Sequence, residues 1–336
     1  MSMNYMDWAV EKTFVKVART SLVFSLCVLL TSALVAQAQI YPSKPIKLVV
    51  PFAPGGAADI IGRLVADRLQ QDLAQPVVII NKDGAGTIIG VDFVAKSAPD
   101  GYTLLMGNDA MAINAATARK LPYDLSTDLT PISLVYRGPQ FVLVNKASAI
   151  NSLADLVKMS KDNHFLKYGT SGTGSSTHLN TAALCEVLNI DPQHIPYRGI
   201  APAISDLLGG HVDFVVAGSA SASPLIISGS AKVIAILNKT RSAQFPKIAS
   251  SYEQGFEVEA AGWYGLMAPN GLSANITNKL ISTMAQAAQN SAFKDKLLAL
   301  SGEPQTLSGH EFGDYIQSEV QKFSKLIKSK NILIQP

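Results

Sequence analysis

Short apolar runs rich in β-branched residues alternate along this chain with amphipathic segments, and glycine-rich turns mark several of the junctions. Residues 46–52, Ile-Lys-Leu-Val-Val-Pro-Phe, form the first such run and predict a buried strand. Pro54, Gly55 and Gly56 break it. Apolar residues then recur at Ile60, Ile61, Leu64, Val65 and Leu69, the spacing of one helix face. The order repeats as strand 76–81, glycine turn 82–87 and helix 88–96. A third strand at 102–107 leads into a helix at 110–119, with Asn108 and Asp109 at the junction as candidate caps. Strands are predicted at 130–136 and 140–145. Near Lys146 the rhythm starts afresh. Ser152 caps a helix at 153–159, and a strand at 165–169 runs into Thr170-Ser-Gly-Thr-Gly-Ser-Ser-Thr-His178, which opens a helix at 179–188. An extended stretch at 193–198, a helix at 202–208, a strand at 212–217, a short helix at 223–227 and a strand at 232–237 follow. Beyond an extended run at 263–269, helices are predicted at 275–289, 292–300 and 312–329.

This alternation predicts an α/β protein of two lobes, each a mostly parallel sheet flanked by helices. The closing helices have few strands of their own, so they are expected to pack back on the first sheet. Lobe 1 then comprises residues 39–145 and 262–336, and lobe 2, residues 146–261, is inserted. Two crossings, near Asn145 and Gly262, make a hinge, and a hinge makes a closing cleft. Strand, glycine turn and helix start in sequence form an anion socket: glycine lets the backbone approach, and the helix offers unpaired N–H groups at the positive end of its dipole. Parallel strands put such sockets on one sheet edge, so that they can share a ligand.

Residues 1–38 have the form of an export signal. Lys12, Lys16 and Arg19 precede an apolar run at 21–35, and Ala36-Gln-Ala38 supplies a small-residue cleavage site. The mature chain keeps one cysteine, Cys185, which rules out an internal disulfide. With 48% hydrophobic residues, 16% charged and a net charge of +3, the remainder has material for two cores and no basic run suited to nucleic acid. The five histidines have no metal-binding spacing, neither Ser171 nor Ser175 fits a nucleophile elbow, and no glycine turn continues as a phosphate loop or dinucleotide site. No enzyme, cofactor or metal is therefore expected. Five hydroxyls, on Thr170, Ser171, Thr173, Ser175 and Ser176, suit a carboxylate instead. His178 reads as a packed helix histidine, and Asp59 as a partner of its own helix dipole.

Several ordered motifs resemble one family. They are Val49-Val-Pro-Phe-Ala-Pro-Gly-Gly-x-x-Asp59, Gly84-Ala-Gly86 with Ile89-Gly90, Pro99-Asp-Gly-Tyr-Thr-Leu-Leu105 and Leu121-Pro-Tyr-Asp124. Tyr168-Gly-x-Ser-Gly-x-Gly-Ser175 with His178-Leu179, Asp206-Leu-Leu-Gly-Gly-His-Val-Asp213 and Trp263-x-Gly-Leu-x-Ala-Pro269 continue the series. Together they resemble the tripartite tricarboxylate transporter receptors, also called Bug proteins. The resemblance implies a type II Venus-flytrap fold of the periplasmic-binding-protein kind. It also implies a periplasmic receptor, expected to be monomeric, that hands a small carboxylate to membrane transporter subunits. A sensor presenting its closed form to a signalling receptor is the alternative. By the family's pattern, Phe52, Gly56 and Ala57 of the first loop and Ala85, Gly86 and Thr87 of the second contact the ligand, with Thr170, Ser171 and Ser175 of the third. Asn108, at a strand end, and Ala217, where many relatives carry an acid, are counted with them. With Ala217 there and no other acid expected on the cleft, the ligand is predicted to be an anion without an ammonium group.

Overall fold

The computed structural model describes residues 41–117, 120–162 and 165–329. The expected export signal at 1–38, His164 and the far end of the helix expected at 110–119 lie outside the described residues. The chain divides into two compact units, Met1–Ser43 and Lys44–Pro336, and the fold is that of the second.

Its first half follows the expected strand–turn–helix order. β1 (Ile46–Val50) buries all but Lys47 and leads to α1 (Ala57–Leu73), which turns Ile61, Val65 and Leu69 into the core. β2 (Val77–Asn81), a single 3-10 turn (Ala85–Thr87) and α2 (Ile88–Ala95) repeat the unit, and β3 (Thr103–Asn108) leads into α3 (Asp109–Ala116). β1 lies between β2 and β3, parallel to both.

β4 (Leu129–Asn145) departs from expectation. The two strands expected at 130–136 and 140–145 are one strand of 17 residues. Its first part, to Pro139, pairs with β9, and its second part, from Gln140, pairs with β7. Gly138 and Pro139 read locally as a break. They stand where the strand leaves one sheet for the other, and long-range pairing on both sides overrides the turn signal.

The second sheet holds α4 (Leu153–Lys161), capped at Asp155 N by Ser152, then β5 (Lys167–Thr170), α5 (Ser176–Leu188) and β6 (Gln193–Pro196). α6 (Ile200–Gly209), β7 (Phe214–Gly218), α7 (Ser219–Ser228) and β8 (Ala231–Ile236) complete it. β7, β5 and β6 are parallel neighbours, while β7 and β8 pair antiparallel with β4. Alternate residues of β4 feed two cores, Val142 and Val144 on one face, Phe141 and Leu143 on the other.

The chain returns through β9 (Ala261–Pro269), which inserts antiparallel between β3 and β4. Gly265 is required there, because a Cβ would come within 2.3 Å of the Phe312 ring. α8 (Ala274–Gln289), α9 (Ser291–Ala299), the two-residue β10 (Glu303–Pro304) and α10 (Gly309–Ser329) follow, and β10 pairs with β4 in the first sheet. Trp263, Phe312, Ile316 and Phe323 join Val49, Leu105 and Met111 in the first core. Leu179 of α5 is fully buried in that same core, so a helix from the second sheet is built into the first. The fold is thus an α/β architecture of two sheets that share β4, and the chain re-enters the first sheet at β9. Among the described residues no helix is long and apolar enough to cross a membrane.

Candidate functional site

β1 and β2 are parallel neighbours, with Val50 opposite Asn81, so the loops leaving them start side by side. They also touch at their base: a Cβ on Gly90 of α2 would stand 2.6 Å from the Lys82 carbonyl and 2.8 Å from Pro51 Cβ. Neither loop caps the helix it opens. Gly56 precedes α1 and Thr87 precedes α2, and no side chain bonds to either first turn. Two helix N-termini with uncapped first turns therefore stand together at the C-terminal edge of a parallel sheet, the arrangement that attracts an anion.

The first loop is held from beneath by Asp59. Its carboxylate accepts from Gly55 N (3.0 Å), from Arg63 Nε (2.9 Å) and from Asn81 Nδ2 (3.0 Å), and Asn81 also donates to the Phe52 carbonyl (3.0 Å). The Arg63 guanidinium, assisted by Gly55 and Asn81, outweighs the effect of burial and holds the Asp59 carboxyl down to about 2. Asp59 thus stays ionised and spent on its own loop, on Arg63 and on Asn81.

The second loop is strained. Ala85, Gly86 and Thr87 follow one another at φ 47°, 62° and 86°, a left-handed run that two residues with side chains rarely enter. The change of hand at its end, from Thr87 (φ 86°) to Ile88 (φ −55°), is the kind of backbone turn that gathers successive N–H groups into an anion-binding hollow. Asn114 of α3 holds the run in place, donating to the Gly86 carbonyl (2.8 Å) and to Thr87 Oγ1 (3.4 Å). Asn81 and Asn114 escaped the sequence reading. A lone amide in the apolar run Ala-Met-Ala-Ile-Asn114-Ala-Ala was the available signal.

The third loop satisfies itself. Ser175 caps α5 at His178 N (3.3 Å) and donates to the Gly172 carbonyl (2.7 Å). Ser171 bonds to Thr177 through both its N–H and its hydroxyl (2.9 Å each). Thr170 is fully buried, with its hydroxyl 2.7 Å from His194 Nε2. Beneath the loop, Tyr168, His194 and His178 stack, the two imidazoles at 3.9 Å and 7°.

Of the residues expected at the ligand, Gly56, Ala85 and Gly86 are exposed and Phe52 and Ala57 half-buried, all on the two adjoining loops. Thr87 is buried against Asn114. Ser171 and Ser175 are half-buried on the third loop. Two placements correct the sequence reading. Asn108 occupies the N-cap position of α3 without capping it: its Nδ2 goes to Asp109 Oδ1 (3.0 Å). Ala217 does not face a cleft. It is fully buried opposite Phe141, in the core with Ala203 and Leu207, because the inward alternation of β7 continues through it. The strand end near it instead offers Ser219, whose hydroxyl lies 2.8 Å from Tyr136 OH on β4.

Asp109, expected only as a candidate cap, is a buried acid. It is buried at the start of α3, and Ser176, at the start of α5, is its hydrogen-bonding neighbour from the second sheet. Through α3, the helix that clamps the second loop also meets the third. Burial, reinforced by Glu319, raises the Asp109 carboxyl to about 7, although Ser176, Ala110 N and Lys322 act in the opposite direction.

A cavity of about 440 Å³ lies elsewhere, lined by Leu129, Pro131, Thr277 and Ile316 on the first sheet's side and by none of the loop residues. Among the described residues no three His, Cys, Asp or Glu side chains are grouped to hold a metal.

Residues 61–332 match the family model described as tripartite tricarboxylate transporter family receptor. The chain is 33% identical over 295 residues to Protein BugT of Bordetella pertussis, covering 87% of this chain and 90% of that one. In structure it is similar to the Rhodopseudomonas palustris protein Rpa4515 solved with adipate (TM-score 0.79, 30% identity, 87% of this chain, 99% of that one). It is also similar to MatC of the same organism solved with malate (TM-score 0.75, 28% identity, 85% and 100%).

Proposed function

This chain belongs to the tripartite tricarboxylate transporter receptors, a family of periplasmic solute-binding proteins rather than enzymes, and on that footing we propose its ligand and working parts. The ligand is a small organic anion carrying one or more carboxylates, bound between the two sheets. One carboxylate sits at the paired starts of α1 and α2, against Gly56, Ala57, Ala85 and Gly86, and the third loop closes on the remainder. The observation that carries this reading is the pair of adjoining, uncapped helix N-termini, one entered through a strained run of left-handed residues. The adipate and malate held by two relatives support a dicarboxylate of four to six carbons.

The lobes of this reading divide where the pairing of β4 changes sheet, between Pro139 and Gln140, and again at the start of β9 near Ala261. Flexing at these two crossings brings the loops together around the anion. The protein is exported by cleavage of residues 1–38, works as a monomer without metal or cofactor, binds no nucleic acid and passes its ligand to membrane transporter subunits. A ligand without an ammonium group still fits best. Asp59 is consumed by Arg63, and the raised Asp109 carboxyl faces Ser176 and Glu319.

A thermal-shift screen of residues 39–336 tests the proposal with adipate, malate, succinate, benzoate, aspartate and glutamate. A ligand at 100 times its dissociation constant adds about 2.7 kcal/mol of stability. A dicarboxylate is expected to raise the melting temperature most. A response to aspartate or glutamate alone would overturn the exclusion of an ammonium group.

A further inference from the structure

The third loop has no support of the kind that Asp59 gives the first and Asn114 the second. Its place is taken by two histidines. His178 lies on α5, just beyond the loop, and turns back so that its Nδ1 accepts from Gly174 N at 3.0 Å. His194, on β6, lies 2.7 Å through Nε2 from the hydroxyl of Thr170, where the loop begins. The two rings are stacked at 3.9 Å and 7°, so each fixes the plane of the other, and Tyr168 stacks at 5.0 Å on His194. One stacked pair thus grips the loop at its start and at its middle.

We propose that His178 and His194 are positioning residues that hold residues 170–175 in ligand-binding shape while both rings are neutral, and that protonation releases the loop. The geometry requires the neutral form. An Nδ1 that accepts from Gly174 carries no proton, so the proton of His178 sits on Nε2. A protonated His178 has no lone pair to offer, and Gly174 loses its acceptor. Two imidazolium rings cannot share a 3.9 Å stack without strong repulsion. The surroundings favour neutrality as well: burial, and then the neighbouring His194, bring His178 down to about 4, and burial lowers His194 too. The titratable groups around the pair are Tyr168 on β5, each histidine for the other, Cys185 on α5 itself and Asp191 beyond it, the last two acting on Tyr168. Among the described residues no carboxylate bonds to either ring to hold a proton there.

The proposal rests on the receptor reading only for its effect on ligand. Its structural part can be read without one. Nitrogen-15 NMR of histidine-labelled protein should show His178 Nδ1 bare at pH 7 with a titration midpoint near 4, and the Gly174 amide should resist exchange. Two replacements separate the clamp from packing. His178→Asn keeps an oxygen acceptor near the position of Nδ1 but cannot titrate, whereas His178→Phe keeps a ring for the stack and accepts nothing. Gly174 should stay protected in the Asn variant at pH 4 to 7 and lose protection in the Phe variant, by about fivefold or more. Adipate affinity should follow the same order, with the wild type weakening more steeply below about pH 5 than the Asn variant, in which only His194 of the pair still titrates. A protonated Nδ1 at pH 7, or equal protection of Gly174 in the Phe variant and the wild type, would overturn the clamp. An unaltered NMR pattern with no binding of adipate would support the clamp and count against the receptor reading instead.

Discussion

Replacing Asp109 by Asn should make this protein more stable, and only above acid pH. The Asp109 carboxyl is buried between the starts of α3 and α5, and burial raises it from 3.8 to about 7. A carboxylate whose folded value is raised is destabilising when ionised. The cost is absent below pH 3.8, grows as pH rises from there to about 7, and is complete above that. A tenfold change in proton affinity corresponds to about 1.4 kcal/mol, so the interval between the two values bounds the cost at roughly 4 kcal/mol. Asparagine keeps an oxygen to accept from Asn108 and Ser176. It also carries no charge to repel Glu319, whose carboxylate reinforces the effect of burial on Asp109. A gain of about half the bound, or a melting temperature higher by on the order of 5 °C, is the expected result at pH 8. The assay is a set of thermal melts of wild type and variant from pH 4 to 8.5. The two curves should converge toward pH 4 and diverge up to pH 7. A variant no more stable at pH 8, or a gap independent of pH, would refute the reasoning.

Three further outcomes follow from the site. Asn114→Ala removes both bonds that hold the strained second loop, and should lower affinity for the bound carboxylate by about tenfold in calorimetry while costing roughly 1–2 kcal/mol of stability. Asp59 behaves oppositely to Asp109: its lowered carboxyl contributes stability that is complete above pH 3.8 and lost as pH falls toward about 2. Asp59→Asn should therefore cost about 2 kcal/mol at pH 7 and only a small fraction of that at pH 2, read by denaturant titration at both. Small-angle scattering should show a smaller radius of gyration with saturating ligand, and an unchanged radius with binding confirmed would remove β4 and β9 as hinges.

The architecture was largely legible because strand, glycine turn and helix repeat with clear periodicity, as in residues 46–69 and 76–96. What was not legible depended on partners far along the chain. Gly138-Pro139 looked like a break because nothing local shows that β9 and β7 continue the pairing on either side. Ala217 looked like a wall residue because its strand end was placed correctly and its facing was not; Phe141 opposite it decides that. Asp109 read as a cap because its burial is created by α5 and α10, which arrive from distant parts of the sequence. The two glycine loops at the starts of α1 and α2 are legible from their glycines, and their supports, Asn81 and Asn114, are not. An amide reveals its role only through the carbonyl it reaches, Phe52 in one case and Gly86 in the other.

If the bare helix starts after Gly56 and Thr87 receive the carboxylate, a side chain placed at Gly56 or at Gly86 must obstruct it. Gly56 is the cleaner position to test, since its φ is −82° and a Cβ there meets nothing within 4 Å, so a side chain is tolerated by the fold and intrudes only on the socket. The measurement is a calorimetric titration of wild type and Gly56→Leu with the dicarboxylate that shifts the melting temperature most. Unchanged melting of the free variant with binding weakened at least about a hundredfold is the predicted result, the loss of two or more charge-assisted hydrogen bonds. Equal affinity in the two proteins would contradict it.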